Sequence, residues 1–145
     1  MLSTRLKSCL LAIALAACAT PSQPSSADDK TTGVVVQPGL EFQLRVGESA
    51  RIDGTSSRVI LRGVADDSRC PADVQCVWAG SARILLTILT EGSPDSAISI
   101  NTGMEPRTAA ISGYQLRVAG VSPEPRAGIS IPANSYVVRF TLATI

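Results

Sequence analysis

The chain has 145 residues, with 13 basic and 12 acidic side chains, no histidine, four cysteines and only 3% aromatic residues. A balance so near neutral excludes a basic nucleic-acid surface and a polybasic membrane patch. The missing histidine excludes Ser-His-Asp and Cys-His hydrolysis and leaves zinc short of good ligands, so no metal or other cofactor is expected.

Arg5 and Lys7 precede an apolar run from Cys9 to Ala17. The run is well short of the roughly 20 residues a transmembrane helix requires, and its spacing predicts an export signal over residues 1–17. The end of that signal, Leu15-Ala16-Ala17-Cys18, resembles the bacterial lipobox. The resemblance implies cleavage before Cys18, transfer of a diacylglyceryl group to its thiol and acylation of the new amino terminus. It makes the chain a lipid-anchored protein of the bacterial cell envelope. Ala19 stands where an aspartate would mark inner-membrane retention in Gram-negative lipoproteins, which implies the periplasmic face of the outer membrane. An ordinary secretory signal cut at Ala17-Cys18-Ala19 is the competing reading; it leaves a free thiol in an oxidising compartment. Two or three acyl chains would hold the protein stably at a membrane, whereas one would not.

Residues 18–33 are expected to form the lipidated cysteine and a flexible tether, because Ser, Thr and Pro dominate and almost nothing apolar is available to offset ordering. Removing the leader takes away Arg5 and Lys7 and leaves 11 basic against 12 acidic side chains, a balance of −1. Residues 34–145 then make one β domain, of a size sufficient for its own core.

Within that domain Leu40, Phe42, Leu44 and Val46 alternate with polar residues and predict a half-buried strand. Ala50 and Ile52 lead to an Asp53-Gly54 turn signal, and residues 58–66 read as the next strand, with Gly63 marking a bulge. One parity runs from Cys76 through Trp78, Gly80, Ala82, Ile84, Leu86 and Ile88, with Leu85 and Leu89 opposite, as in a central strand. Further strands are expected at 97–101, 108–111 and 114–121, the last stopped by Pro123 and Pro125. Tyr136, Val138, Phe140 and Leu142 close the chain with a clear alternation. Seven to nine short strands predict an all-β, antiparallel, Ig-like β-sandwich, with a small β-barrel as the alternative.

Cys70 and Cys76 remain once Cys9 leaves with the leader and Cys18 is acylated, and an even pair in an exported chain predicts a disulfide. So small a ring contributes only about 2 kcal/mol, which makes it a device for shaping one loop. The segment Asp67-Ser68-Arg69-Cys70-Pro71, followed by Cys76 and then Trp78-Ala79-Gly80, resembles small exported bacterial proteins that carry D-S-R-C-P and C-x-W-A-G. The resemblance implies no activity. Shared parity of Cys76 and Trp78 predicts an indole covering the disulfide; the other reading is an exposed ligand platform. Arg69 is expected either to brace the loop through Asp66 or Asp67, or to project as a recognition residue. A calcium site from Asp66, Asp67 and Asp73 is opposed by Arg69 among them. The C-x5-C spacing is not that of thiol oxidoreductases.

These readings point to a non-enzymatic binding or structural module of the envelope, with Asp67, Arg69 and Trp78 as the candidate recognition loop and an envelope protein as its partner. The alternative is an inhibitor of a lysozyme or serine protease that inserts the 70–76 loop, with Arg69 in an acidic cleft.

Overall fold

The computed structural model describes residues 33–145. The leader, Cys18 and the tether up to residue 32 lie outside the described residues, and no described helix is long and apolar enough to cross a membrane.

Alternating side chains produce the strands. In order they are β1 (Val34–Val36), β2 (Glu41–Arg45), β3 (Ser49–Ile52), β4 (Ser57–Ala65), β5 (Arg83–Thr90), β6 (Ser96–Asn101), β7 (Thr108–Ile111), β8 (Tyr114–Ser122) and β9 (Val137–Thr144). They form two sheets, β1-β3-β4-β5-β6 and β2-β9-β8-β7, packed face to face. The architecture is a β-sandwich, and the long C-terminal strand β9 lies between β2 and β8.

The core is one apolar layer between the sheets. Leu44, Val59, Leu61, Ile84, Leu86, Leu116, Val138, Phe140 and Leu142 are buried there. Phe140 stacks on Phe42 with ring centroids 5.5 Å apart. The bulge expected at Gly63 is present: Leu61 pairs with Leu86, Gly63 with Leu85, and Arg62 is the extra residue. The extra residue resets the phase, so Val64 faces inward opposite Ile84 where simple alternation would have sent Gly63 inward. A second bulge between Val118 and Gly120 acts the same way in the other sheet, bringing Val121 opposite Val138.

Three sequence expectations are corrected. The strand read from Cys76 begins only at Arg83, although the inward parity holds from Ala82 onward. Leu40 is exposed, because it ends a turn before β2 starts. Val34–Val36 forms an unanticipated edge strand that runs parallel to β3, the one exception to antiparallel pairing among the strand pairs described; three consecutive valines show no alternation to reveal it.

Polar groups tie the two sheets at both ends. At one end the buried Ser57 hydroxyl in β4 bonds Thr90 in β5 and Ser112 in the β7–β8 turn. The other end carries the disulfide loop. The core layer predicts that Phe140→Ala lowers unfolding free energy by about 3–5 kcal/mol, measured by urea titration of the purified domain.

Candidate functional site

Between β4 and β5 the chain makes a short, bonded hairpin of its own. Ser68 N donates to Ser81 O at 2.8 Å and Cys70 N to Ala79 O at 3.0 Å. The Ser68 hydroxyl donates to Ser81 O and accepts from Ser81 N. The expected disulfide joins Cys70 to Cys76, with Cα atoms 5.9 Å apart, and closes the tip.

Two glycines make this packing possible. Gly80 has φ +70°, and a Cβ there would sit 1.8 Å from Ser68 O; a Cβ at Gly103 would sit 2.4 Å from Gly80 O. Gly103 N donates to the Ser81 hydroxyl, and Thr102 is bonded to Ala82 through both its hydroxyl and its amide, so the β6–β7 connection backs the hairpin.

A charged clamp holds the base. Arg69 donates Nε to Asp67 Oδ1 at 2.8 Å and Nη2 to Asp67 Oδ2 at 2.7 Å, a two-pronged pair. Its remaining donors reach across to the other sheet, Nη1 to Val121 O at 2.6 Å and Nη2 to Pro123 O at 3.0 Å. Tyr136, just before β9, donates its hydroxyl to Asp67 Oδ2 at 3.0 Å. The Arg69 and Asp67 side chains are only 15% and 11% exposed. The guanidinium beside Asp67 holds that carboxyl below its usual range, against the opposing effect of burial. Burial, with the Asp67 carboxylate second, keeps the Tyr136 phenol protonated to higher pH. The β8–β9 connection completes the frame: Ala72 N donates to Pro125 O and Ala127 N to Asp73 Oδ1, both at 2.9 Å.

Of the residues singled out in the sequence, Asp67, Arg69, Cys70 and Cys76 therefore come together as an internal brace, with Asp67 rather than Asp66 as the partner of Arg69. Asp66 pairs with Arg83 on the surface. Arg69 does not project, and its guanidinium is committed to three acceptor residues. Trp78 overturns the expectation that it covers the disulfide: it is 83% exposed, beside Val77 at 91% and Val74 at 47%. The alternation that placed its indole with the Cys76 side chain does not apply, because residues 76–80 are not a strand and Gly80 turns the chain through the left-handed region. Val77 and Val74 lie outside any strand, so no alternation marks them as surface residues.

An open groove of 610 Å³ lies beside the brace, lined by Asp66, Asp67, Ser81, Arg83, Asn101 and Met104 among others. Its two carboxylates each pair with an arginine, Asp67 with Arg69 and Asp66 with Arg83. Asp73, the third acid weighed for calcium, is held by Ala127, and among the described residues no group of three or more His, Cys, Asp or Glu could hold a metal ion. No family model, curated protein or solved structure matches this chain.

Two outcomes test the brace. Asp67→Asn lowers stability by about 2–3 kcal/mol at neutral pH, since it leaves a largely buried guanidinium without its counter-charge. Asp67 is ionised more readily in the folded chain than in the unfolded one, so its contribution is complete above its ordinary value of 3.8 and is lost as pH falls below that. The gap between wild type and Asp67→Asn, followed by chemical denaturation from pH 7 down to pH 2, accordingly closes in acid. Gly80→Ala destabilises the domain by more than 1–2 kcal/mol, roughly the left-handed backbone cost alone, because its methyl group also meets Ser68 O. Gly92→Ala, with a similar φ and open space around it, provides the comparison in the same denaturation experiment.

Proposed function

We propose that the chain is a lipid-anchored, non-enzymatic binding module of the bacterial cell envelope, tethered through Cys18, whose recognition element is the apolar tip at Val74, Val77 and Trp78. One observation carries the reading of the domain. Each of Asp67, Ser68, Arg69, Cys70, Cys76 and Gly80 is used inside the loop, by ion pair, hydrogen bond, disulfide or backbone turn, whereas Trp78 has no hydrogen-bond partner among the described residues and stands 83% exposed. A large apolar side chain presented on a loop whose ordering cost is already met in the fold is what a binding hot spot requires.

The non-enzymatic reading is supported by the absence of histidine from the whole sequence and by the pairing of both groove carboxylates with arginine. The inhibitor reading loses its inserted arginine, since Arg69 is bonded within the fold. The anchor rests on the lipobox resemblance alone.

Two measurements test the proposal. Intact-mass analysis of protein extracted from membranes gives a chain beginning at Cys18 with acyl and diacylglyceryl mass added, and Cys18→Ser releases it to the soluble fraction; an unmodified chain overturns the anchor. Trp78→Ala leaves unfolding free energy within about 0.5 kcal/mol of wild type, as for an exposed residue without a structural role. A loss of about 3 kcal/mol or more would return Trp78 to the core and remove the recognition element.

A further inference from the structure

The exposed tip has a feature that a protein-binding surface of ordinary size does not share. From Val74 to Ala79 the sequence is Val-Gln-Cys-Val-Trp-Ala, without a charge, and its large apolar side chains are Val74, Val77 and Trp78. Of the charges on the supporting loops, Arg69 is paired with Asp67, Asp73 is bonded to Ala127, and Glu124 and Arg126 are of opposite sign. A stable protein interface takes roughly 20–30 residues a side. Three apolar side chains on a narrow, neutral tip are too few for that, but a valine pair and a tryptophan suit the headgroup boundary of a bilayer, where the indole has an apolar body and one polar N–H.

The topology aims the tip at such a surface. β1 is parallel to β3, with Val34 beside Ala50 and Val36 beside Ile52. Followed backward from Val36, the chain reaches Gly33 next to Ser49, where a Cβ would lie 2.8 Å from the Ser49 hydroxyl. Ser49 pairs with Ile60 in β4, and β4 runs on from there to Ala65 and into the disulfide loop. The upstream chain therefore leaves the sandwich heading toward the end that carries Trp78. The 15 peptide links from Cys18 to Gly33 span at most about 55 Å, so an anchor at Cys18 keeps that end within reach of the membrane. Tethering raises the local concentration of the surface to the millimolar range, where a contact too weak to bind from solution becomes occupied.

We infer that Val77 and Trp78 dock into the headgroup region of the phospholipid bilayer that holds Cys18, giving the domain a second, apolar contact and one fixed orientation on the membrane. The inference deepens the anchored-module reading and rests on it for the identity of the surface. Because the tip is uncharged, docking needs no anionic lipid and is insensitive to salt.

Trp78 is the only tryptophan in the sequence, and Cys18 is the only thiol outside the disulfide once the leader is absent, so one experiment reads the contact directly. The chain from Cys18 onward, which contains the whole described domain, is coupled through Cys18 to a maleimide lipid in phosphatidylcholine vesicles. Tryptophan emission shifts to shorter wavelength on coupling and is quenched by lipids brominated near the headgroup, with no change on adding salt. Val77→Asp, whose folding is checked by its unfolding midpoint, loses both the shift and the quenching. Emission on vesicles equal to that of the uncoupled chain overturns the inference. So does a shift that appears only when solubilised envelope proteins are added and is not quenched by brominated lipid, since that marks a protein as the ligand. The mass of native Cys18 is a separate readout: an unmodified cysteine removes the anchored-module reading, while the vesicle result still decides whether the tip enters a bilayer.

Discussion

One end of this sandwich is held by a charged clamp. Asp67 and Arg69, two residues apart, form a two-pronged pair, and the arginine then spends its other donors on Val121 and Pro123 while Tyr136 bonds the carboxylate. The clamp thus bridges from the end of β4 in one sheet to β8 and the β8–β9 connection in the other. The Arg69 and Asp67 side chains are largely buried, and there a charge left alone would be costly. The hairpin from Ser68 to Ser81, which carries the disulfide loop, grows directly from this clamp.

Fixing a loop in this way separates support from presentation. Hydrogen bonds at Ser68, Cys70 and Gly103, the close approach at Gly80 and the Cys70–Cys76 bridge hold the hairpin together. None of them uses Val77 or Trp78. The tip is therefore free to be apolar without weakening the fold, and its rigidity lowers the entropy lost when it meets another surface. The carboxylates of the adjacent groove are likewise paired, Asp67 with Arg69 in the brace and Asp66 with Arg83 at the surface.

The two bulges contribute to this end of the molecule in a less obvious way. Each adds one residue to a long strand near the loop, and each restores the inward placement of a valine, Val64 in one sheet and Val121 in the other. Bulges also bend and twist the strands that carry them. The backbone of Val121 is at the same time an acceptor for Arg69, so the strand whose phase the bulge corrects also receives the clamp.

The strands were legible because alternation is a local property. Leu44, Ile84, Leu86, Leu116, Val138 and Leu142 announce their inward face from nearest-neighbour pattern alone. The disulfide was legible from the count of cysteines left in an exported chain, and Arg69 was expected to pair with a neighbouring aspartate, Asp66 or Asp67, of which the fold selects Asp67. The rest was decided by tertiary structure. Arg69 finds Val121 at a separation of 52 residues and Asp67 finds Tyr136 at 69, distances over which sequence carries no pairing signal. The strand at Val34–Val36 shows no alternation and exists because β3 offers it an edge. The outward position of Trp78 could not be read from parity, because parity holds only where the chain stays extended, and the left-handed turn at Gly80, imposed by the backbone of Ser68 packed against it, ends that condition.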